Sequence, residues 1–311
     1  MRTDIDHLPA NKQRELERVK QIIFEEFEDA LALATHQWKK KGRIEKLILY
    51  GSYARGGWVD EPHTAKGYRS DFDLLIIVND KRLTERVDYW LKLEDRLIRE
   101  LAIDRTLHTP VNFIVHTLQE VNDGLAHGRY FFMDVAKDGI ALHEADDRAL
   151  HTPKPKTPEQ ALAMAREYYE EWFPSAAALK EGCEFYIGKG RLKEAAFSLH
   201  QATERLYHCV LLVCTFYTPH VHNLGFLRTQ AERIDMRLVD AWPRDTRINR
   251  ARFEKLKEAY VKARYSKHYR ITDEELLWLG GCVEELGRAV HAICSERIAL
   301  LRQKANEASS N

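Results

Sequence analysis

The sequence predicts an α/β domain followed by an all-α domain. Strand and helix patterns alternate over the first half, three prolines interrupt residues 151–158, and strand patterns nearly vanish beyond them. A chain of 311 residues is long enough for two domains that each bury a core. We therefore expect a mixed sheet with flanking helices over residues 1–150, a linker over 151–158 and a helical bundle over 159–311.

Apolar periodicity defines the elements of the first half. Spacings of three and four residues predict amphipathic helices, whereas continuous apolar runs rich in strand formers predict buried strands. Thr117 and Glu120 form the pattern of a helix-capping box, which predicts a further short helix. The longer predicted elements are a helix within residues 11–40, strands at 44–50 and 72–78, a helix at 81–101 and a strand at 111–115.

The linker ends in a helix-start signal. Thr157 is a favourable N-cap residue, Pro158 suits the first helical position, and Gln160 completes a capping box. Thr272 and Glu275 give a similar signal for the last helix. The helices predicted beyond the linker span about residues 159–187, 191–216, 224–241, 247–265 and 273–304.

The overall charge excludes one class of function. The chain has 48 basic and 48 acidic residues, so it is not a uniformly basic protein that coats nucleic acid. Residues 1–150 nevertheless carry a net −4 (23 basic against 27 acidic), and residues 151–311 a net +4. The five cysteines form no CxxC pair, which favours single buried thiols. With no signal peptide and no apolar run of about 18 residues, we expect a soluble cytoplasmic protein without membrane contact.

Two polar motifs flank the gap between the first two strands. Gly51 and Ser52 follow the strand at 44–50, where a glycine lets the backbone approach a phosphate and nearby donors reach its oxygens. Asp71 and Asp73 open the next strand, and their spacing places both carboxylates on one face. Such a pair repels until it binds a hard cation such as Mg²⁺. Each motif alone is common as a turn or a solvated acid pair, but together they indicate a site for a metal–nucleoside triphosphate.

The motifs GSYARG at residues 51–56 and SDFDL at 70–74 resemble those of the DNA polymerase β-type nucleotidyltransferase superfamily, in particular minimal and aminoglycoside nucleotidyltransferases. The resemblance covers roughly residues 10–145. It implies a two-metal reaction in which an NMP group, AMP in our expectation, moves from an NTP to an acceptor and pyrophosphate leaves. The residues assigned by this resemblance are Gly51, Ser52 and Arg55 for the nucleotide, and Asp71 and Asp73 for Mg²⁺.

Two features depart from that family. The segment from Tyr53 to Ser70 is longer than in most members, and we interpret its extra residues, 58–67, as a loop near the mouth of the site. The family's third carboxylate lies on a later strand, where this sequence has Asn112. An amide can ligate a metal but cannot accept a proton as a base. Either another group, for which Glu120 and Asp123 are candidates, activates the acceptor in its place, or transferase activity is weak or lost.

Three motifs of the second half resemble the HEPN domain, a helical module often paired with minimal nucleotidyltransferases. They are HQATERLYH at residues 200–208, HNL at 222–224 and AYVKARYS at 259–266. The resemblance covers about residues 159–304 and implies a homodimer formed through this domain. Some members are metal-independent ribonucleases with a paired Arg and His, which here have only three residues between them, fewer than in those enzymes. The candidate site residues in this half are His200, Arg264, Tyr265 and His268.

Positive charge in the second half is concentrated in one stretch. Residues 244–270 hold ten basic residues against three acidic ones, with three tyrosines interleaved. This composition suits phosphate contact and base stacking, and a solvated helix face is the alternative. His200, Glu204 and Tyr207 recur at helical spacing, which predicts either a shared functional stripe or ordinary helix packing.

The sequence leaves three functions open. The first is Mg-dependent transfer of an NMP group to RNA, a protein hydroxyl or a small molecule bound by the helical domain, in a toxin–antitoxin or antibiotic-resistance setting. The second is a ribonuclease built on Arg264 and His268 and regulated by the first domain. The third is a non-catalytic nucleotide- or RNA-binding protein, which Asn112 favours.

Overall fold

The computed structural model describes residues 1–32, 34–59, 70–219 and 221–309. The chain divides into two units, Met1–Pro155 and Lys156–Asn311, and the division falls within the proline-rich segment. The first unit is α/β and the described part of the second contains helices only. Each unit is described by itself below.

The described residues of the first unit form a four-stranded sheet and flanking helices, with a 3₁₀ turn at Lys81–Thr84. In chain order, the helices and strands are α1 (Ala10–Leu31), α2 (Gln37–Lys40), β1 (Ile44–Tyr50), α3 (Gly51–Arg55), β2 (Phe72–Val78), α4 (Arg86–Tyr89), α5 (Leu91–Ala102), β3 (Val111–Thr117), α6 (Leu118–Ala126), α7 (Tyr130–Asp138) and β4 (Ile140–Glu144).

The sheet has the strand order β3-β2-β1-β4 and mixed direction. β1 runs antiparallel to both β2 and β4, whereas β2 and β3 are parallel. Every residue of β1 and β2 is buried, as expected for central strands covered on both faces. As a result, the end of β1 and the starts of β2 and β3 lie at one edge of the sheet, and this edge carries the motifs singled out in the sequence.

The elements of this unit differ from the sequence-based predictions in two ways: some predicted helices are interrupted, and two elements were not predicted. The helix expected within residues 11–40 is two helices, and the one expected at 81–101 is divided into the 3₁₀ turn, α4 and α5. Glu85 and Trp90 flank the short α4 with non-helical backbone angles. Neither α7 nor β4 has a counterpart among the predicted elements, and β4 returns the chain to the free side of β1. The predicted strands at 44–50 and 72–78 are confirmed, as is the capping box at Thr117.

The second unit is built around a buried central helix, α9. Sixteen of its residues are buried, and it packs against α8, α10, α12 and α13. The predicted start of α8 at Thr157 is confirmed as a capping box, and the helix expected at 224–241 is two helices, because the chain leaves helical geometry between them. The helices of this unit are α8 (Pro158–Gly188), α9 (Leu192–Thr215), α10 (Leu224–Glu232), α11 (Arg237–Asp240), α12 (Arg247–Tyr265) and α13 (Asp273–Ser309).

The five cysteines are all free thiols in helices of this unit, and Cys214 is the one that is half-buried rather than buried. Among the residues that the structure describes, no helix combines the length and the apolar character needed to cross a membrane.

Candidate functional site

The turn between β1 and α3 is built around Gly51. Its φ is +78°, a left-handed conformation that L-residues with a side chain rarely adopt. A Cβ atom added there would lie only 2.6 Å from Oδ2 of Asp73, so the Asp73 carboxylate occupies the space that a side chain at this position would need. Ser52 is half-buried one residue further on, and Arg55 is exposed at the end of α3. The glycine is therefore required both for the turn and for close approach to a carboxylate.

Asp71 and Asp73 meet Asn112 at the start of β2 and β3. Asp73 is fully buried and is paired in register with Tyr50 of β1 on one side and Asn112 of β3 on the other. Asp71 precedes the strand and is half-buried, and Nδ2 of Asn112 donates a hydrogen bond of 2.8 Å to its Oδ2. The structure thus brings together the two acids, the amide and the glycine turn.

The chain between α3 and β2 is closed by a backbone clamp. The Ser70 amide donates to the Val59 carbonyl oxygen at 2.8 Å, and the Val59 amide donates to Oγ of Ser70 at 2.9 Å. Ser70 is buried and directly precedes Asp71. Most of the predicted loop at 58–67 lies outside the described residues, and Trp58, at its start, stacks on Tyr53 with ring centroids 5.5 Å apart.

The donor set at this edge fits Mg²⁺ that arrives with a nucleotide. Two carboxylates and an amide are hard oxygen ligands, and the backbone of Gly51 lies close to one of the carboxylates. Across residues 1–32, 34–59, 70–219 and 221–309, no group of three or more His, Cys, Asp or Glu residues is arranged to hold a metal ion. Asp71 and Asp73 would thus contribute part of the coordination, and substrate phosphates and water the remainder, which is the usual mode for Mg²⁺.

Glu120 lies beyond the far end of β3 and does not reach this edge, so the prediction that it replaces the third carboxylate is wrong, whereas that for Asp123 stays a prediction. Along β3, the chain extends roughly 16 Å from Asn112 to Thr117 before α6 begins. Burial alone would raise the pKa of Glu120, but hydrogen bonds from His116, Lys81 and Thr117 lower it below the ordinary value. Glu120 is the capping residue of α6 and a partner of Lys81 at the opposite edge of the sheet.

Comparison with known families agrees with this geometry. Residues 34–122 match the family described as "Polymerase beta, Nucleotidyltransferase". The match begins before β1 and ends within α6, so it includes the glycine turn, both acids and Asn112. This segment of the first unit is therefore similar to nucleotidyltransferases of this type, which supports an activity of that general class. No curated protein matches the chain.

A second polar cluster lies in the helical unit. His200, Glu204 and His208 are spaced four residues apart on α9 and are all buried. Nδ1 of His200 lies 3.8 Å from the Glu204 carboxylate, and Nε2 of His208 lies 3.7 Å from it. Burial lowers the pKa of His200 to about 4, so its imidazole is neutral near pH 7. The cluster therefore places one acid among imidazoles inside a largely apolar helix interface.

His222, in the segment before α10, completes this cluster. Its Nδ1 lies 3.1 Å from both carboxylate oxygens of Glu204. Its ring stacks on Tyr260 of α12, with centroids 4.2 Å apart and planes 17° apart. Burial alone would raise the pKa of Glu204, but hydrogen bonds with His208 and His222 lower it below the ordinary value. Glu204 is therefore ionised, and its charge is directed to a histidine that is partly exposed.

The remaining candidate site residues of this unit, Arg264, Tyr265 and His268, do not all lie at this cluster. Arg264 lies against Tyr260, with Cζ 4.3 Å from the ring centroid, and its Nε donates to the Tyr260 carbonyl oxygen at 2.6 Å. His268 lies beyond the end of α12, where it is exposed and its amide donates to Oγ of Ser266. The Tyr265 side chain is largely exposed. Of the pair proposed for ribonuclease chemistry, the structure brings Arg264 to the cluster and leaves His268 outside it.

Tyr207 does not share the predicted stripe. It is fully buried, and its hydroxyl accepts a hydrogen bond from Nε1 of Trp242 at 2.7 Å. Burial raises its pKa well above the ordinary value, so it is a neutral core residue. The shared stripe continues instead through His208, four residues after Glu204, and this spacing is visible in the sequence.

The basic stretch at 244–270 is partly neutralised by its own surroundings. Several of its cations form ion pairs with glutamates of the same helix or of neighbouring helices, which reduces the charge available to a ligand. Tyr269, one of its tyrosines, is buried and donates its hydroxyl to the Lys255 carbonyl oxygen. The ion pairs are Arg244–Glu232, Lys255–Glu275, Lys257–Glu254 and Lys262–Glu258.

Proposed function

We propose that this protein is a Mg-dependent nucleotidyltransferase that moves an NMP group, AMP in our expectation, from an NTP to an acceptor bound with the help of the helical unit. The observation that carries the proposal is the meeting of Gly51, Asp71 and Asp73 at one edge of a mixed sheet, within the segment that matches the family. RNA, a protein hydroxyl and a small molecule are the acceptor classes that the proposal allows. A toxin–antitoxin or antibiotic-modifying setting fits the same chemistry.

Each residue at this edge has a role in the proposed reaction. Gly51 lets the chain turn closely beside Asp73, and Ser52 and the exposed Arg55 bind the oxygens of the triphosphate. Asp71 and Asp73 hold Mg²⁺, which would neutralise charge on the phosphates as pyrophosphate leaves. Nδ2 of Asn112 donates to Asp71 and so fixes the direction of that carboxylate. This set accounts for nucleotide binding and orientation, and it assigns no base to the acceptor.

The acceptor and the assembly belong to the same proposal. The resemblance of the second unit to a HEPN domain supports binding of an anionic partner there and a homodimer formed through that unit. Sedimentation equilibrium of the full chain tests the dimer directly. A monomer at all concentrations used in the transfer assay would contradict that part of the proposal and leave the nucleotide chemistry unaffected.

The transfer itself is tested with α-labelled NTPs and Mg²⁺, offering separately RNA, the protein itself and aminoglycosides as acceptors. We expect label transfer with release of pyrophosphate, strongest with ATP, and loss of it in Asp73→Asn and in EDTA. Glu120→Gln is the matched control, because this acid lies at the opposite edge of the sheet. Nucleotide binding without any transfer would contradict the enzyme and support a nucleotide sensor.

A further inference from the structure

A polar cavity of about 270 Å³ lies in the helical unit, between α10, α12, α13 and the segment that joins α11 to α12. We propose that this cavity binds a small phosphate monoester through Arg228, Arg244 and Arg250. All of its lining residues belong to the second unit, and none of them lies in the three motifs that resemble the HEPN domain. The cavity is therefore distinct from the cluster around Glu204, and its role is separate from NMP transfer.

Arg228 places a buried guanidinium at the wall of this cavity. Its side chain is 9% exposed, its Nε donates to Oε1 of Glu232 at 2.6 Å, and its Cζ lies 4.7 Å from the centroid of the Phe253 ring. These two contacts hold the guanidinium in place. Its Nη2 is buried and has no hydrogen-bond partner among the described residues. Because a buried donor without an acceptor is costly, this nitrogen indicates that a ligand or a water molecule supplies an oxygen.

Arg244 binds the same carboxylate from the segment before α12. Its Nη2 donates to Oε1 and Oε2 of Glu232 at 2.6 and 2.8 Å. Its Nε is also buried and lacks a hydrogen-bond partner in the part of the chain that the structure describes. One carboxylate thus serves two guanidiniums. A water molecule would accept a hydrogen bond from either nitrogen but would leave one positive charge uncompensated, whereas an anion satisfies both requirements.

The charge of the lining residues selects among anions. Arg250, exposed near the start of α12, adds a third guanidinium. Glu254 is offset by Lys257, whose Nζ lies 2.9 and 2.8 Å from its two oxygens. Three guanidiniums against the one carboxylate of Glu232 therefore leave two positive charges. A phosphate monoester carries about −1.5 to −2 at pH 7 and matches this excess, whereas a carboxylate carries a single charge.

Aromatic side chains form another part of the wall. Trp242, Phe253 and Trp278 line the cavity, and the ring centroids of Trp242 and Phe253 lie 4.6 Å apart. Such rings suit the organic part of a monoester, whereas inorganic phosphate would leave them uncovered. The volume lies just below the range of about 300 to 1,000 Å³ that is usual for drug-sized ligands, so the ligand is small.

Isothermal titration calorimetry of the full chain with phenyl phosphate, without added Mg²⁺ or NTP, tests this site. We expect saturable binding of one ligand per chain, and weaker binding of benzoate and of inorganic phosphate. Arg244→Ala should weaken binding by about tenfold, because it removes a charged hydrogen-bond donor. Arg250→Ala should weaken it by about threefold, because exposed charges contribute less. Arg247→Ala is the matched control, since this exposed cation of the same helix does not line the cavity.

Four results would overturn the proposal. They are no saturable binding of phenyl phosphate by the wild type, unchanged dissociation constants in both Arg244→Ala and Arg250→Ala, equal weakening in Arg247→Ala, and benzoate or inorganic phosphate bound as tightly as phenyl phosphate. Arg250→Ala keeps the test valid if Arg244→Ala does not fold, because the Arg250 side chain is exposed. A failure of NMP transfer does not affect this result, because no NTP is present in the titration.

Discussion

The two polar sites of this chain both use buried carboxylates, yet they surround them differently. In the first unit, Asp71 and Asp73 lie beside an amide and a glycine backbone at the edge of a sheet. In the second, Glu204 lies among three imidazoles in a helical bundle. Rigid strands with oxygen donors suit a divalent cation that arrives with phosphates, whereas imidazoles suit proton transfer at neutral pH. The surroundings of an acid, rather than the acid itself, therefore indicate its chemistry.

The largest expected difference between the sites is their response to acid. The folded-state pKa of His200 is about 4, against 6.5 in the unfolded chain, so the unfolded state binds protons first. The stability that depends on a neutral His200 is fully present above pH 6.5 and is lost as the pH falls towards 4. This loss lowers the free energy of unfolding by about 3 kcal/mol. The pKa of Glu204 is lowered in the folded protein, so protonation of this carboxylate also reduces stability as the pH falls, but at lower pH than His200 does.

Urea denaturation of the full chain between pH 7 and pH 4, followed by tryptophan fluorescence, checks this prediction. His200→Leu should reduce the pH dependence of the helical unit's transition. If the stability of His200→Leu falls with pH as steeply as that of the wild type, His200 does not control the acid response.

The next effect concerns the glycine turn of the first unit. Gly51→Ala places a methyl group against the Asp73 carboxylate in a left-handed conformation, and should destabilise the unit by about 2 kcal/mol. We also expect it to abolish NMP transfer, because the carboxylate must move. Gly57→Ala is the control, since a Cβ there meets nothing within 4 Å. Equal melting temperatures and activities for the two variants would contradict the close packing at Gly51.

A smaller effect should separate metal binding from proton chemistry. Asn112→Asp replaces the amide that donates to Asp71 with a third carboxylate, and should cost about 1 kcal/mol in EDTA through lost hydrogen bonding and repulsion. Mg²⁺ should raise the melting temperature of this variant more than that of the wild type. A stabilisation no greater than that of the wild type would show that Asp71 and Asn112 do not face a common cation.

The smallest effect is expected at the opposite edge of the sheet. Lys81→Ala removes the ion pair with Glu120, whose members are largely or partly exposed, and should cost at most about 0.5 kcal/mol. NMP transfer should be unchanged, because this pair lies beyond the far end of β3. A clear loss of transfer, measured with the same labelled NTPs, would show that the Lys81–Glu120 pair takes part in the reaction.

The sequence predicted the first site better than the second because the first is local. Asp71 and Asp73 are two residues apart on a strand, and Gly51 follows the preceding strand, so periodicity alone places them near each other. His222 reaches Glu204 only because the segment after α9 folds back onto it. No periodic pattern describes such a return, although His200, Glu204 and His208 at four-residue intervals already indicated one face of α9.

The predictions that the structure corrects also failed where the sequence pattern carries no information about the path of the chain. Glu120 is close to Asn112 in sequence, but an extended strand carries the chain to the opposite edge of the sheet. β4 is an outer strand of the sheet and has only five residues, so its sequence pattern is weak. The helix expected at 81–101 lacks regular geometry at Glu85 and Trp90, where apolar spacing alone shows no break.

The clamp between Val59 and Ser70 has a consequence for the variability of this protein. Two hydrogen bonds join the ends of the intervening segment one residue before Asp71. Insertions or deletions between these two residues should therefore leave the register of β2 unchanged, because the clamp absorbs the difference in chain length. The position of the two carboxylates is thus set by the clamp and not by the length of the chain between its two ends.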